Sequence, residues 1–457
     1  MRKLFGTDGI RAIAGQPPLD APTIHAVGQA LAHTLKAHHP IPRILLGMDT
    51  RESGPWIARL LHSGLASGGA TLANAGILTT PAIAYLARKF GFAAGIVISA
   101  SHNPWHDNGI KIFAGDGYKL PDALELSIES EIFTRLAAAA AAPGPPPAEL
   151  DLPPVDPVYR RDYEAFLRSA VPGLSLQGLH IVLDCANGAA SAIAPELFAS
   201  LGSPGASNKV ELTHATPNGR NINEACGALH PEVVARETKE RGADLGITLD
   251  GDADRSLFAD RHGRVINGDA VLLLAARSLQ AEGRLTNNLV VATTMSNMGL
   301  EAALARSGIR MLRAPVGDKY VLEMMQQHNA ALGGEQSGHI LFPHLATTGD
   351  GLLTTLVLLD ILERSNKPID ELLADLKTYP QVILNIRVRE KIPFDTIATV
   401  TAAIEEAENA LAGTGRVVIR YSGTEPLARV MIEAESEAAM RTHADQIANA
   451  IRKELGA

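Results

Sequence analysis

The sequence predicts an α/β protein of three or four domains, built on parallel sheets and closed by a smaller α+β unit. Three observations predict it. The chain has 457 residues, too many for one hydrophobic core. Short apolar runs end again and again in polar, glycine-containing loops, with helix-length stretches between them, the pattern of strand and crossover helix. Aromatic residues are scarce and alanine and glycine abundant, which favours close helix-on-sheet layers over a β-sandwich.

Taken in order, Arg43–Asp49 is the first clear strand and leads into Thr50-Arg-Glu-Ser-Gly54. Ala94–Ile98 follows and opens into Ser99-Ala-Ser-His-Asn103, with Asp107–Lys111 expected to continue the same turn. His180–Asp184 runs into Cys185–Gly188, Asp244–Leu249 into Asp250–Arg255, and Leu289–Thr293 into Thr294–Asn297. Helices are expected over Pro22–Ala37, Gly54–Gly68 and Pro231–Arg241. In such sheets ligands collect at the carboxyl ends of the strands, where these loops lie. Poly-alanine at Ala137–Ala142 followed by Pro143–Pro147 breaks the chain. Further breaks are placed near residue 259 and near Asn366-Lys-Pro368, giving domains at 1–150, 151–258, 259–370 and 371–457. The last has strand-like Gln381–Val388, a helix over Phe394–Leu411 and strand-like Arg416–Arg420.

A net charge of −9 without a Lys/Arg block argues against a nucleic-acid partner. No apolar stretch is long enough to cross a bilayer, so no membrane partner is expected. Met1–Arg11 lacks the apolar core of a signal peptide. Cys185 and Cys226 have no metal-type spacing and suit a reducing compartment. A cytoplasmic protein is expected.

Four loops carry chemistry. Asp250, Asp252 and Asp254 alternate after an apolar strand; on an extended chain they would share one face, where three carboxylates invite a hard divalent cation. An EF-hand is excluded, because Arg255 takes the place of its turn glycine and Arg261 that of its terminal glutamate. Arg255 beside the acidic loop suggests a nearby phosphate. Ser101 presents a hydroxyl without the Gly-x-Ser-x-Gly elbow of a hydrolase on this architecture. Ser422, Gly423 and Thr424, flanked by Arg420 and Arg429, offer hydroxyls, turn amides and planar donors to an anion. In Gly333–His339, Glu335 and Ser337 are suited to sugar hydroxyls, and His339 to titration near neutrality.

The order of these loops, with Phe5-Gly-Thr-Asp-Gly-Ile-Arg11 and Gly47–Gly54, resembles the α-D-phosphohexomutases over essentially the whole chain. Val316-Gly-Asp-Lys-Tyr-Val321 and Gly334–His339 resemble the bacterial amino-sugar branch, the alternative being the branch acting on neutral hexose phosphates. The resemblance implies three related doubly wound α/β domains and a smaller C-terminal α+β domain around a central cleft. It implies a phosphoserine at Ser101, which joins Asp250, Asp252 and Asp254 around one Mg²⁺. It further implies interconversion of glucosamine 6-phosphate and glucosamine 1-phosphate through a bisphosphate, supplying amino-sugar precursors of the cell wall. Arg11, Lys111 and His339 are then the candidates for proton transfer. Glu335, Ser337, Arg420, Ser422, Gly423, Thr424 and Arg429 are the substrate-binding set. A small phosphosugar is the expected partner, with a homodimer left open. A non-catalytic phosphosugar binder would need no metal-positioned serine. A phosphatase would need no clamp for a second phosphate.

Overall fold

The computed structural model describes residues 4–6, 8–142, 144–201, 209–422 and 425–457. The chain divides into two compact units, Met1–Thr293 with Ala314–Leu373, and Thr294–Arg313 with Ala374–Ala457.

The first unit holds two five-stranded sheets of one plan. In the first, Arg43–Met48 lies between Thr71–Ile77 and Ala94–Ile98, all parallel. In the second, His180–Asp184 lies between Lys209–Thr213 and Leu245–Leu249, again parallel. The central strands are buried, which is why they read as unbroken apolar runs. Helices Ala21–Leu35, Gly54–Ser67 and Pro231–Arg241 lie close to their expected bounds. The first two approach so closely that a Cβ at Gly64 would lie 2.1 Å from the His25 carbonyl oxygen.

Neither sheet is purely parallel. Each continues past its last parallel strand into an antiparallel return strand, Asp107–Ala114 in the first and Ser256–Asp260 in the second. Asp107–Lys111 is therefore not a turn. It belongs to a strand in which Lys111 pairs with Val97, and its polar residues disguise a segment that is buried nearly throughout. Likewise the second sheet runs through residues 258 and 259 and closes with Val265–Ile266, so we place its edge at Ile266. Leu289–Thr293 pairs in parallel with Leu332–Gly334, which pairs antiparallel with Ile340–Leu341.

In the second unit, Leu427–Ala434 forms the middle of an antiparallel sheet between Gln381–Arg387 and Gly415–Tyr421. Its apolar face shares a core with helices Ala398–Ala410 and Glu437–Leu455. The segment Phe394–Thr396 forms a separate 3₁₀ turn before the first of these helices.

Candidate active site

The loops after Ala94–Ile98 and Leu245–Leu249 meet. Ser101, 1 % exposed, donates its hydroxyl to Asp250 Oδ2 at 2.5 Å across 149 residues of chain. The carboxylates of Asp250, Asp252 and Asp254 converge, with one oxygen of each within 4.8 Å of the others. They do not share a face of an extended strand: Ala253 at φ 56° folds the segment into a tight turn. Thr80 donates to Asp252 at 2.5 Å, and the Arg255 amide donates to Asp250 at 3.2 Å.

The acids do not ionise alike. Burial, followed by repulsion from Asp254 and Asp252, pushes the Asp250 carboxyl well above its usual range. Asp254 is held well below the usual range: burial opposes its ionisation, but Lys111, His339 and Arg255 outweigh it. Asp252 Oδ1 and Asp254 Oδ1 are buried without a hydrogen-bond partner among the described residues. Three buried carboxylates, two of them with an orphaned oxygen, fit a hard divalent cation, which supplies the missing charge and ligands.

A network of charges surrounds this loop. The Lys111 ammonium lies 2.8 Å from Asp252, 2.8 Å from Asp8 and 3.4 Å from Asp254. Burial opposes its charge, but the three acids hold it protonated far above the ordinary range. Asp8 also takes Arg11 at 2.5 Å and Lys119 at 2.7 Å, and Lys119 reaches Asp318 at 2.7 Å. His339 lies 3.7 Å from both Asp254 and Asp318. Its burial is outweighed by Asp254, Asp318 and Glu335, which raise its pKa to about 9, above the neutral titration expected from sequence.

A cavity of about 400 Å³ opens over this network, lined by Arg11, His102, Arg255, Asp318, Glu335 and His339 among others. Of the three proton-transfer candidates, Arg11 and His339 line it, whereas Lys111 lies beneath. Glu335 accepts from the Gly317 amide and from the Ser337 hydroxyl, each at 3.1 Å. Gln336 turns away and donates to Asp269 at 3.2 Å.

Sequence reasoning missed several members of the site. His102, the next residue in sequence, brings Nδ1 to 3.2 Å from the Ser101 hydroxyl, because Ser101 adopts φ 51° and swings the two side chains together. Burial, with Arg255 and Arg11 nearby, lowers the His102 pKa to about 4. Asp8 stands inside a quoted motif, yet only the fold shows the three cations that it joins. Lys119 and Asp318 carried no spacing signal.

In the second unit Arg420 and Arg429 are cross-strand partners. Burial and the Arg429 charge both lower the Arg420 pKa. Ser422 is buried; Gly423 and Thr424 lie outside the described residues. Tyr421 donates to the Ile392 carbonyl at 2.5 Å and stacks on Phe394.

A further group of potential ligands, Asp184, His214 and Cys226, has another explanation. The Asp184 carboxylate already accepts from the amides of Ala186 and Gly227 and from Thr248, and so organises its own loops.

Models of the phosphoglucomutase/phosphomannomutase family match nearly the whole chain: α/β/α domain I over residues 2–138, domain II over 162–263, domain III over 267–379 and the C-terminal domain over 383–450. The chain belongs to this family. Among its members, phosphoglucosamine mutase of Koribacter versatilis is 57 % identical over 100 % of this chain and 98 % of its own length. That of Solibacter usitatus is 50 % identical over 100 % and 99 %. A solved family structure from Burkholderia thailandensis has a TM-score of 0.76 at 23 % identity, covering 98 % of this chain and 97 % of that one. The Aspergillus fumigatus N-acetylphosphoglucosamine mutase, solved with GlcNAc-6P and magnesium, has a TM-score of 0.65 at 17 % identity, covering 99 % and 96 %. These structures share the family's α/β fold. No helix among the described residues is long and apolar enough to cross a membrane.

Proposed function

We propose that this chain is a cytoplasmic phosphoglucosamine mutase, interconverting glucosamine 6-phosphate and glucosamine 1-phosphate. The observation that carries the reading is the Ser101 hydroxyl held against a buried, three-carboxylate pocket, in a chain whose relatives of that name match it end to end. Ser101 carries the phosphoryl group between turnovers. The P–O bond to Ser101 breaks as a bond forms to a free sugar hydroxyl, whose proton passes to the enzyme. The resulting bisphosphate reorients, and its other phosphoryl group returns to Ser101.

Asp250, Asp252, Asp254 and the serine oxygen would hold one Mg²⁺, which when bound supplies charge neutralisation to the phosphoryl oxygens. Arg255 adds a fixed positive charge at the cavity wall. Arg11 and His339 line the cavity; a guanidinium stays protonated, so Arg11 supplies charge, and His339 in its neutral form is the group suited to take the proton. Lys111, locked among three acids, offsets their charge and acts as a charge rather than a base. Glu335 and Ser337 take the sugar hydroxyls. Arg420, Ser422, Gly423, Thr424 and Arg429 bind the phosphate that is not transferred. This division suits a reaction that depends on alignment and charge compensation.

Comparative kcat/KM on glucosamine 6-phosphate, mannose 6-phosphate and glucose 6-phosphate tests the reading. The amino sugar is expected to be the best substrate, and a preference for either neutral hexose would overturn the assignment. Release of inorganic phosphate at the turnover rate would replace it with a phosphatase.

A further inference from the structure

Asp250 holds the hydroxyl of Ser101, but other groups hold its backbone. At φ 51° Ser101 is left-handed, a state that a non-glycine residue keeps only when its surroundings fix it. Its carbonyl accepts from the Arg51 guanidinium at 3.2 Å and from the Asn223 amide at 2.9 Å. The Asn103 carbonyl accepts from the same two groups, at 2.6 Å and 3.0 Å. Two donors, one from a loop of each five-stranded sheet, thus fork across the same pair of carbonyls. Gly251 closes over them: a Cβ there would stand 2.6 Å from the Ser101 carbonyl oxygen and 2.9 Å from Asn223 Nδ2. The aspartate loop reaches the serine loop only because that position carries no side chain.

We infer that Asn223 is a positioning residue for Ser101. Its amide ties a loop of the second sheet to the main chain of the serine loop and so sets where the serine oxygen stands relative to the aspartates. The tie meets carbonyls and not the hydroxyl, so it is the same whether Ser101 is free or phosphorylated. The serine oxygen therefore returns to one place after every transfer. Both partners are acceptors, so only a donor serves at residue 223.

The inference rests on the phosphoserine reading, and two variants test it in the full chain. Asn223 is itself left-handed, at φ 58°, so Asn223→Gly keeps the backbone without strain and deletes only the amide. Asn223→Asp keeps the shape and aims an acceptor at two acceptors. Displacing a reacting group by about 1 Å costs up to about a hundredfold in rate. On that scale kcat should fall about tenfold in the glycine variant and further in the aspartate variant. KM for glucosamine 6-phosphate should move by less than about threefold, since other residues bind the sugar and its phosphate. Amide hydrogen exchange in the serine loop should quicken in the same order. An aspartate variant with kcat within about twofold of wild type and unchanged exchange would overturn the inference, as would a rise in KM alone. Should the aspartate variant fail to fold, the glycine variant decides by the same two readouts. A wild-type protein without mutase turnover would sink the phosphoserine reading instead, leaving the exchange measurement to judge the tie.

Discussion

The Ser101 hydroxyl donates to Asp250 over 2.5 Å although 149 residues separate the two. Replacing it should remove the reaction and spare the fold, because the loop is held through its carbonyls. Ser101→Ala is expected to lower kcat by at least about a thousandfold, as removal of a covalent nucleophile does. Far-ultraviolet circular dichroism should be unchanged, and intact mass should show the phosphoryl group in wild type only. Turnover in the alanine variant at the wild-type rate would refute the phosphoserine.

Lys111 is 2 % exposed and neutralises three acids at once. Removing one partner of a buried ion pair costs about 3–5 kcal/mol, so Lys111→Met should lower the urea midpoint by a corresponding amount. Magnesium should restore part of that loss in the variant, and a chelator should deepen it. Denaturation with and without Mg²⁺ measures both effects, and a variant insensitive to the metal would contradict the assigned ligands.

Arg420 and Arg429 face one another across two antiparallel strands. Directly opposed like charges destabilise a sheet by a few tenths to about 1 kcal/mol, a repulsion that a bound phosphate reverses. Arg420→Ala is therefore expected to raise the melting temperature slightly while raising KM about ten- to a hundredfold, the scale of a lost charged hydrogen bond. A scanning melt and steady-state kinetics check the two signs together; loss of stability with unchanged KM would show a structural role only.

Asp350 is buried and accepts from the Tyr163 hydroxyl at 2.6 Å and the Leu353 amide at 2.9 Å. Burial dominates and lifts its pKa from 3.8 to about 6. The folded state thus binds more protons than the unfolded state between these values. The contribution is complete below about pH 4 and lost as pH climbs to about 6, so this group makes stability fall with rising pH. Near 1.4 kcal/mol per pKa unit, the loss is about 3 kcal/mol. Urea denaturation at pH 4 and pH 7 should show a smaller decline in Asp350→Asn than in wild type; identical declines would exclude Asp350 as the cause.

The parallel strands were legible because burial on both faces leaves an apolar run, and their carboxyl-terminal loops were legible because ligand chemistry collects there. Asp107–Ala114 was not. Its aspartate, asparagine and lysine imitate a turn, and hydrogen bonds from Asn103 to Asp107 and from Asn108 to Ser53, together with the Lys111 ion pairs, make their burial tolerable. Ser101 and the aspartates stood out as motifs, but the turn at Ala253 and the left-handed Ser101 depend on contacts far off in sequence. Lys119, Asp318 and Asn223 acquire meaning only from the loops opposite them, which no local pattern encodes. Gln336, read as a marker of branch, serves the start of the helix Gly268–Ala281 through Asp269.

The hairpin Ala94–Ala114 carries the serine and Lys111 together, whereas the three aspartates all belong to the second sheet. Ser101 and Lys111 thus form one heritable block and the three aspartates another. The chain between them passes through residues 144–146, exposed to solvent. A tag or a protease site inserted there would lengthen the tether and leave both blocks undisturbed.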